Sequence, residues 1–249
     1  MKTSFSKQQL QNDLIELNLP RIAETYDNHC KIAAQRNLAY SEFLRQLVNE
    51  EMNCKGERMV RYRIKWSQLP YQKTLEQFDF ASQPSIDKRL IDELATLRFI
   101  DNCENLIFLG PPGVGKTHLA IALAMRACQA GLKTFFTTAD TLIRRLKASL
   151  ADGTFRQRMR RLKWPRLLVI DELGYLPFDR QAANFFFEII CNRYETGATI
   201  ITSNRSYGHW GDIFNDPVIA SAILDRILHH SITINIKGKS YRMRDKLAL

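Results

Sequence analysis

The sequence is poor in the features that would staple it by disulfides or seat it in a membrane. Its five cysteines, Cys30, Cys54, Cys103, Cys128 and Cys191, are odd in number and scattered, with no C-x-x-C pair. That argues against a disulfide framework or a cysteine-based zinc site, and a reducing cytoplasm is the expected compartment. Cys128 and Cys191 fall in apolar helical patterns and read as small core residues. The five histidines show no metal-ligand spacing either, and the adjacent His229 and His230 are expected to point in different directions on a helix. No apolar run approaches a membrane span, and Lys2 and Lys7 are followed by no apolar signal-peptide core. There is no internal repeat and no low-complexity segment. What the chain does have is 45% apolar residues over 249, ample for a large core, and 36 Lys+Arg against 26 Asp+Glu, which favours polyanion partners.

Residues 1–69 read as a small all-helical domain. Leu10, Leu14 and Leu17 recur at helical spacing until Asn18-Leu19-Pro20, and a second helix is expected from Pro20 to about Gln35. Ser41 is placed as the N-cap of a third helix with Phe43, Leu44, Leu47 and Val48 as its apolar face. At its end Lys55, Arg58, Arg61, Arg63 and Lys65 interleave with Tyr62, Ile64 and Trp66. This suits either a helix lying along a phosphate backbone or a solvated basic face. Residues 70–104 form a linker and a leading helix expected from Pro84 through Leu97.

From Asn105 strands alternate with helices, the signature of a parallel sheet covered on both faces. Strands are expected at Asn105–Leu109, Lys133–Ala139, Leu167–Ile170, Ala198–Ser203 and Ile232–Ile236. The intervening helices fall around His118–Ala130, Thr141–Leu150, Arg180–Glu195 and Val218–His230. The fold class is therefore α/β, with a core at 105–249.

The first strand runs into Gly110-Pro111-Pro112-Gly113-Val114-Gly115-Lys116-Thr117-His118, which satisfies G-x-x-x-x-G-K-[ST]. Glycines let successive N–H groups face one concavity, and the following helix adds its positive end. Lys116 can then reach the β- and γ-phosphates of a triphosphate while the Thr117 hydroxyl faces Mg²⁺. The third strand ends in Asp171-Glu172, which places two acids at the carboxyl edge where ligands sit in such sheets. Asp171 is the expected Mg²⁺ partner, through water, and Glu172 the group that orients or deprotonates the attacking water. Asn204, after the fourth strand, is either a γ-phosphate sensor or a loop cap. Arg226, in Ile223-Leu224-Asp225-Arg226-Ile227-Leu228, is either a surface partner of Asp225 or an arginine finger.

Taken in order, G-P-P-G-V-G-K-T, L-L-V-I-D-E-L, I-I-T-S-N and I-L-D-R-I-L resemble the AAA+ ATPases. More narrowly, they resemble the branch holding the DnaC helicase loader and the IstB helper ATPases of insertion sequences. The stretch from Leu224 to Arg242 and Asp171-Glu172-Leu173-Gly174-Tyr175 are similar to IstB in particular. The resemblance implies ATP and Mg²⁺ as cofactors, Lys116 and Thr117 as the Walker A pair, and Asp171 with Glu172 as Walker B. It also implies Asn204 as sensor 1, Arg226 as a finger inserted into a neighbouring subunit's site, and Phe78 with Asp79 near the adenine. Only about a dozen residues follow the fifth strand, so no helical lid domain is expected.

Between Leu142 and Arg166 stand Arg144, Arg145, Lys147, Arg156, Arg158, Arg160, Arg161, Lys163 and Arg166 against Asp152 alone, most of the chain's surplus of ten positive charges. The resemblance places this part of the module on DNA, where phosphate contacts would give weak sequence specificity and strong salt dependence. The leading expectation is a homo-oligomeric, DNA-binding ATPase that assembles on duplex DNA and regulates a transposase. A DnaC-like helicase loader is the alternative. Asn204-Arg205-Ser206-Tyr207 does not supply the N-K-x-D of a GTPase, and a small-molecule kinase would leave the basic segment unexplained.

Overall fold

The computed structural model describes residues 6–238, 240 and 241. By packing, the chain divides into two compact units that meet between Tyr62 and Arg63.

The first unit holds α1 (Lys7–Glu16), α2 (Pro20–Arg36) and the greater part of α3 (Tyr40–Trp66). Its core is thin: Ile22, Tyr26 and Leu47 are buried, with Leu10, Leu14, Leu19 and Phe43 packed against them. Buried Glu51 accepts the Ile22 N–H at 3.0 Å, and Lys55 and Arg58 lie 4.0 and 3.7 Å from its other oxygen. Two of the cations ending α3 therefore answer an internal acid. Ser41 is not the cap it was expected to be. The Phe43 N–H already bonds the Ala39 carbonyl, so Ser41 lies in the first turn of a helix that begins one residue earlier.

The second unit begins within α3. Trp66 packs edge-on against Phe135 and Trp164, and the Ser67 carbonyl accepts the Phe136 N–H at 2.8 Å. The expected long helix from Pro84 is instead two short ones, α4 (Lys88–Leu94) and α5 (Arg98–Asp101). The Asp87 side chain caps α4 by accepting from the Arg89 N–H, which leaves Pro84 in the preceding turn. Leu97 breaks the run at a left-handed φ of 67°.

There follow β1 (Asn105–Leu109), α6 (Lys116–Gln129), β2 (Thr134–Thr138), α7 (Ala139–Ala151), α8 (Phe155–Lys163) and β3 (Leu167–Leu173). The chain continues through α9 (Arg180–Arg193), β4 (Ala198–Ser203), α10 (Trp210–Phe214), α11 (Pro217–His229) and β5 (Ser231–Asn235). The sheet is parallel throughout, in the order β2-β3-β4-β1-β5. Alternate strand residues face opposite layers. Ile107, Leu109, Leu168, Ile170 and Ile201 pack under α7 to α11, while Leu106, Phe108, Leu167, Val169 and Ile200 pack under α4 to α6. Burial on both faces is why these strands read as continuous apolar runs rather than alternating ones. Trp210 is fully buried in the first of these layers.

Residues 155–163 form a helix that was not expected from the sequence. Gly153, at φ 69°, ends α7, Asp152 takes the Thr154 N–H, and α8 restarts with Phe155, Met159 and Leu162 turned into the core. The lid expectation bears on the stretch after β5, where residues 239 and 242–249, including Arg242 of the IstB-like run, lie outside the described residues. No helix among the described residues is long and apolar enough to cross a membrane.

Candidate nucleotide site

At the carboxyl end of β1 the chain turns through Gly110 at φ 150°, where a Cβ would sit 2.2 Å from the Ile236 carbonyl oxygen. Gly115, at φ 102°, closes the loop; a Cβ there would lie 2.5 Å from the Phe78 ring. Only glycine fits either position. Val114 is fully buried and anchors the loop to the core. Gly115 is also the N-cap of α6, so the positive end of that helix opens at the loop. Lys116 is buried and folds back, donating from Nζ to the carbonyls of Gly110 and Pro111, both at 2.7 Å.

Gly113 to His118 line a cavity of about 340 Å³. Its other walls are Tyr71, Lys73, Gln77, Phe78, Asp79, Gln83, Glu172, Tyr175, Thr202 and Tyr241. Pro111 and Pro112 are exposed and stand outside that lining. Phe78 meets the His118 ring edge-on at 5.1 Å, and the His118 Nε2 pairs with the Thr74 carbonyl at 2.9 Å. The linker is thus pinned to the mouth of the phosphate loop. Asp79 is occupied in part as a cap, accepting from the Ser82 N–H.

Beneath the cavity lies Asp171, 3% exposed. Its Oδ1 accepts the hydroxyls of Thr117, at 2.9 Å, and Thr202. Burial pushes the Asp171 carboxyl above its ordinary value, against the opposing pull of those two hydroxyls and the Lys116 charge. Thr202 was not foreseen. Its hydroxyl also accepts the Glu172 N–H at 3.0 Å, so one strand residue orients both acids. In sequence it reads as an ordinary β-former in Ile200-Ile201-Thr202-Ser203.

Glu172 stands at φ 62°, where the β3–β4 register slips between Ile170 and Leu173. This bulge inserts one residue into β3 and turns the Glu172 side chain to the cavity wall. A left-handed glutamate is strained, and such strain gathers at functional sites.

Asn204 follows β4 directly, beside Ser203, whose carbonyl accepts the Gly110 N–H at 3.2 Å. Asn204 does not line the cavity, but its Oδ1 is buried with no hydrogen-bond partner among the described residues. Arg226 is not brought to the cavity at all. It is half-buried on α11, with its guanidinium 4.8 Å from the Phe187 ring centroid and Nη1 donating to the Ala222 carbonyl. Among the described residues no carboxylate, Asp225 included, lies within ion-pair distance of it.

The basic segment divides. Arg144 pairs with Asp140, Lys147 with Asp179, Arg158 with Asp152 and Arg166 with Asp101, while Arg145 donates to Gln68. Arg156, Arg160, Arg161 and Lys163 are exposed on the outer side of α8 with no ion pair among the described residues.

The strand order, the phosphate loop and the Thr117–Asp171–Glu172 group together define a P-loop nucleotide-binding protein of the AAA+ type. More narrowly, the chain belongs to the family of IstB-like ATP binding proteins, which it matches over residues 12–248. A protein named for ATP binding in insertion sequence IS5376 of Geobacillus stearothermophilus is 48% identical over 92% of each chain. Its counterpart from insertion sequence IS21 of Pseudomonas aeruginosa is 44% identical over 94% of this chain and 88% of that one. Among solved structures, DnaI is 25% identical with a TM-score of 0.57, over 66% of this chain and 91% of that chain. AMPPCP-bound DnaA from Aquifex aeolicus shares the fold, with a TM-score of 0.56 over 73% of this chain and 56% of that chain at 23% identity.

Proposed function

We propose that this protein hydrolyses ATP at a site shared between two of its own copies, assembles on duplex DNA in the cytoplasm, and there recruits or regulates the transposase of its element. The observation that carries this reading is the separation of Arg226 from the cavity that holds Lys116, Thr117, Glu172 and, beneath them, Asp171. Among the described residues, one chain supplies a phosphate cradle and two acids but no arginine lining the cavity to meet the charge that develops on the transferred phosphoryl group. The α11 arginine of a neighbouring copy would fill that role, worth roughly 10³–10⁵ in rate.

The donor set fits Mg²⁺, since the Thr117 hydroxyl and the Asp171 carboxylate are hard oxygen ligands held together. When bound, that ion neutralises charge on the β- and γ-phosphates. Lys116 would exchange its two carbonyl partners for phosphate oxygens, Glu172 would orient water, and the Asn204 amide would meet that water or the γ-phosphate. Phe78 borders the cavity where the base would lie. The outer cations of α8 are the phosphate-contacting face, with Arg144, Arg145, Lys147 and Arg158 as secondary contacts. The helical unit before Arg63 is the partner-binding element. Relatives named for insertion sequences match nearly the whole chain, which favours a transposase over a replicative helicase as that partner.

Mixing Lys116→Ala with Arg226→Ala chains tests the shared site. Each alone should lose hydrolysis, and the mixture should recover part of it, because one keeps the arginine and the other the cradle. Absence of recovery in demonstrated mixed assemblies would remove Arg226 from the site.

A further inference from the structure

We infer that Glu195, His229 and His230 form a binding site for a divalent transition-metal ion, with Zn²⁺ as the expected occupant, at the end of the sheet opposite the phosphate loop. In sequence the two histidines were expected to diverge around a helix. Instead α11 ends at His229, and His230 leaves helical geometry at φ −129° and ψ 81°. That change brings the two rings to 4.1 Å between centroids. Glu195, in the turn between α9 and β4 at φ 55°, completes the group: one ligand atom from each of the three lies within 4.8 Å of the others. His230 Nε2 and Glu195 Oε1 are 3.7 Å apart.

Two features point past a chance surface cluster. The His229 Nδ1 is hydrogen-bonded to the Tyr194 hydroxyl at 2.9 Å, which leaves Nε2 for an ion. A ligand histidine held through its other nitrogen is the usual outer arrangement of metal sites. The second feature is Asn105, which ties both ligand-bearing turns to β1. Its Oδ1 accepts the Thr199 N–H at 3.1 Å, its Nδ2 donates to the Ile227 carbonyl at 3.1 Å, and its own N–H donates to the His230 carbonyl at 2.8 Å. The backbones carrying Glu195 and the histidines are therefore fixed relative to each other.

Two imidazoles and one carboxylate suit Zn²⁺ and its later first-row neighbours, whereas Mg²⁺ and Ca²⁺ take oxygen ligands. Metal–ligand distances of about 2.0–2.2 Å require the three side chains to close by roughly 1 Å, which exposed rotamers permit. Three protein ligands leave the fourth position to water. An ion there would staple the α9–β4 turn to the α11–β5 turn, on the same helix as Arg226.

The test is titration of the full chain with Zn²⁺, and with Co²⁺ read by its visible absorption. One ion per chain is expected, with a Co²⁺ band of low-coordinate type. His229→Ala and His230→Ala should each weaken binding by about 10-fold or more, and Tyr194→Phe should weaken it less. Lys116→Ala should leave it unchanged, since the nucleotide cavity lies at the other end of the sheet. All three ligands are exposed, so circular dichroism should report folded variants, and Glu195→Gln offers an isosteric check if a histidine variant fails to fold. Equal Zn²⁺ binding by the wild type and the doubly substituted His229→Ala/His230→Ala chain would overturn the site, as would the absence of any stoichiometric Zn²⁺ or Co²⁺ binding.

Discussion

Asp171 carries opposed demands. Its folded-state value lies above its ordinary one because burial penalises the carboxylate. An acid raised in this way costs the fold stability while ionised; the cost shrinks as pH falls below the raised value and is gone below the ordinary one. Mg²⁺ needs the ionised form, so Mg–ATP affinity should weaken as pH descends into the interval between the ordinary and raised values. Asp171→Asn should therefore keep or raise the melting temperature of the nucleotide-free protein while Mg–ATP binding falls by about 10-fold or more; calorimetry reads both. A lower melting temperature in that variant would mean the hydroxyl contacts outweigh the burial cost. Arg193 is a second buried charge, with no acid partner among the described residues. Its guanidinium donates to the carbonyls of Leu162, Lys163, Pro165, Arg166 and Ala198 and to the Thr199 hydroxyl, and burial lowers its pKa to about 10. Arg193→Ala should cost roughly 3–5 kcal/mol in urea unfolding, because several buried carbonyls lose their donor together. Arg193→Lys should recover little of it, as an ammonium lacks the planar fork. Asp171 was legible in sequence because an acid ending an apolar strand has few uses. Arg193 was not: its partners come from segments far apart in the chain, and alone it looks like a surface arginine closing a helix.

At the scale of elements, the central strands β1, β3 and β4 were legible because burial on both faces makes them largely apolar runs, whereas the edge strands β2 and β5 mix apolar residues with threonine and serine. Local capping was harder to read. Asp87 and Leu97 cut one expected helix into α4 and α5, and Asp152-Gly153-Thr154 separates α7 from an unforeseen α8. The charge of that segment was visible, yet its distribution was not, since the ion pairs of Lys147 with Asp179 and Arg166 with Asp101 depend on tertiary placement. Changing Arg156, Arg160, Arg161 and Lys163 to Gln should leave α8 folded, because Phe155, Met159 and Leu162 hold it to the core. DNA affinity should fall, and the slope of log affinity against log salt should drop by about 0.9 for each phosphate no longer neutralised. Substituting Arg144, Lys147 and Arg158 should change that slope less. An unchanged slope in the first variant would mark α8 as a solvated face.

For the whole molecule, the sequence indicated a helical part followed by a nucleotide-binding part but set their junction at 69. The packing falls between Tyr62 and Arg63, and residues 63–69 contribute Trp66 and Ser67 to the second unit. No local signal marks this, because α3 runs through the junction without a break. A fragment starting at Arg63 should accordingly melt several degrees above one starting at Pro70, a difference of about 1 kcal/mol being worth roughly 2–4 °C at this size. Equal melting temperatures would return the junction to 69. The bond from Ser67 to Phe136 has a further consequence. β2 is the outermost strand on its side of the sheet, and Thr134-Phe135-Phe136-Thr137-Thr138 is uncharged and rich in strand-formers. Stripped of the segment that crosses it, this edge would present open backbone groups to any other chain, so premature truncation or proteolysis near 63–69 would turn a folded core into a seed for aggregation.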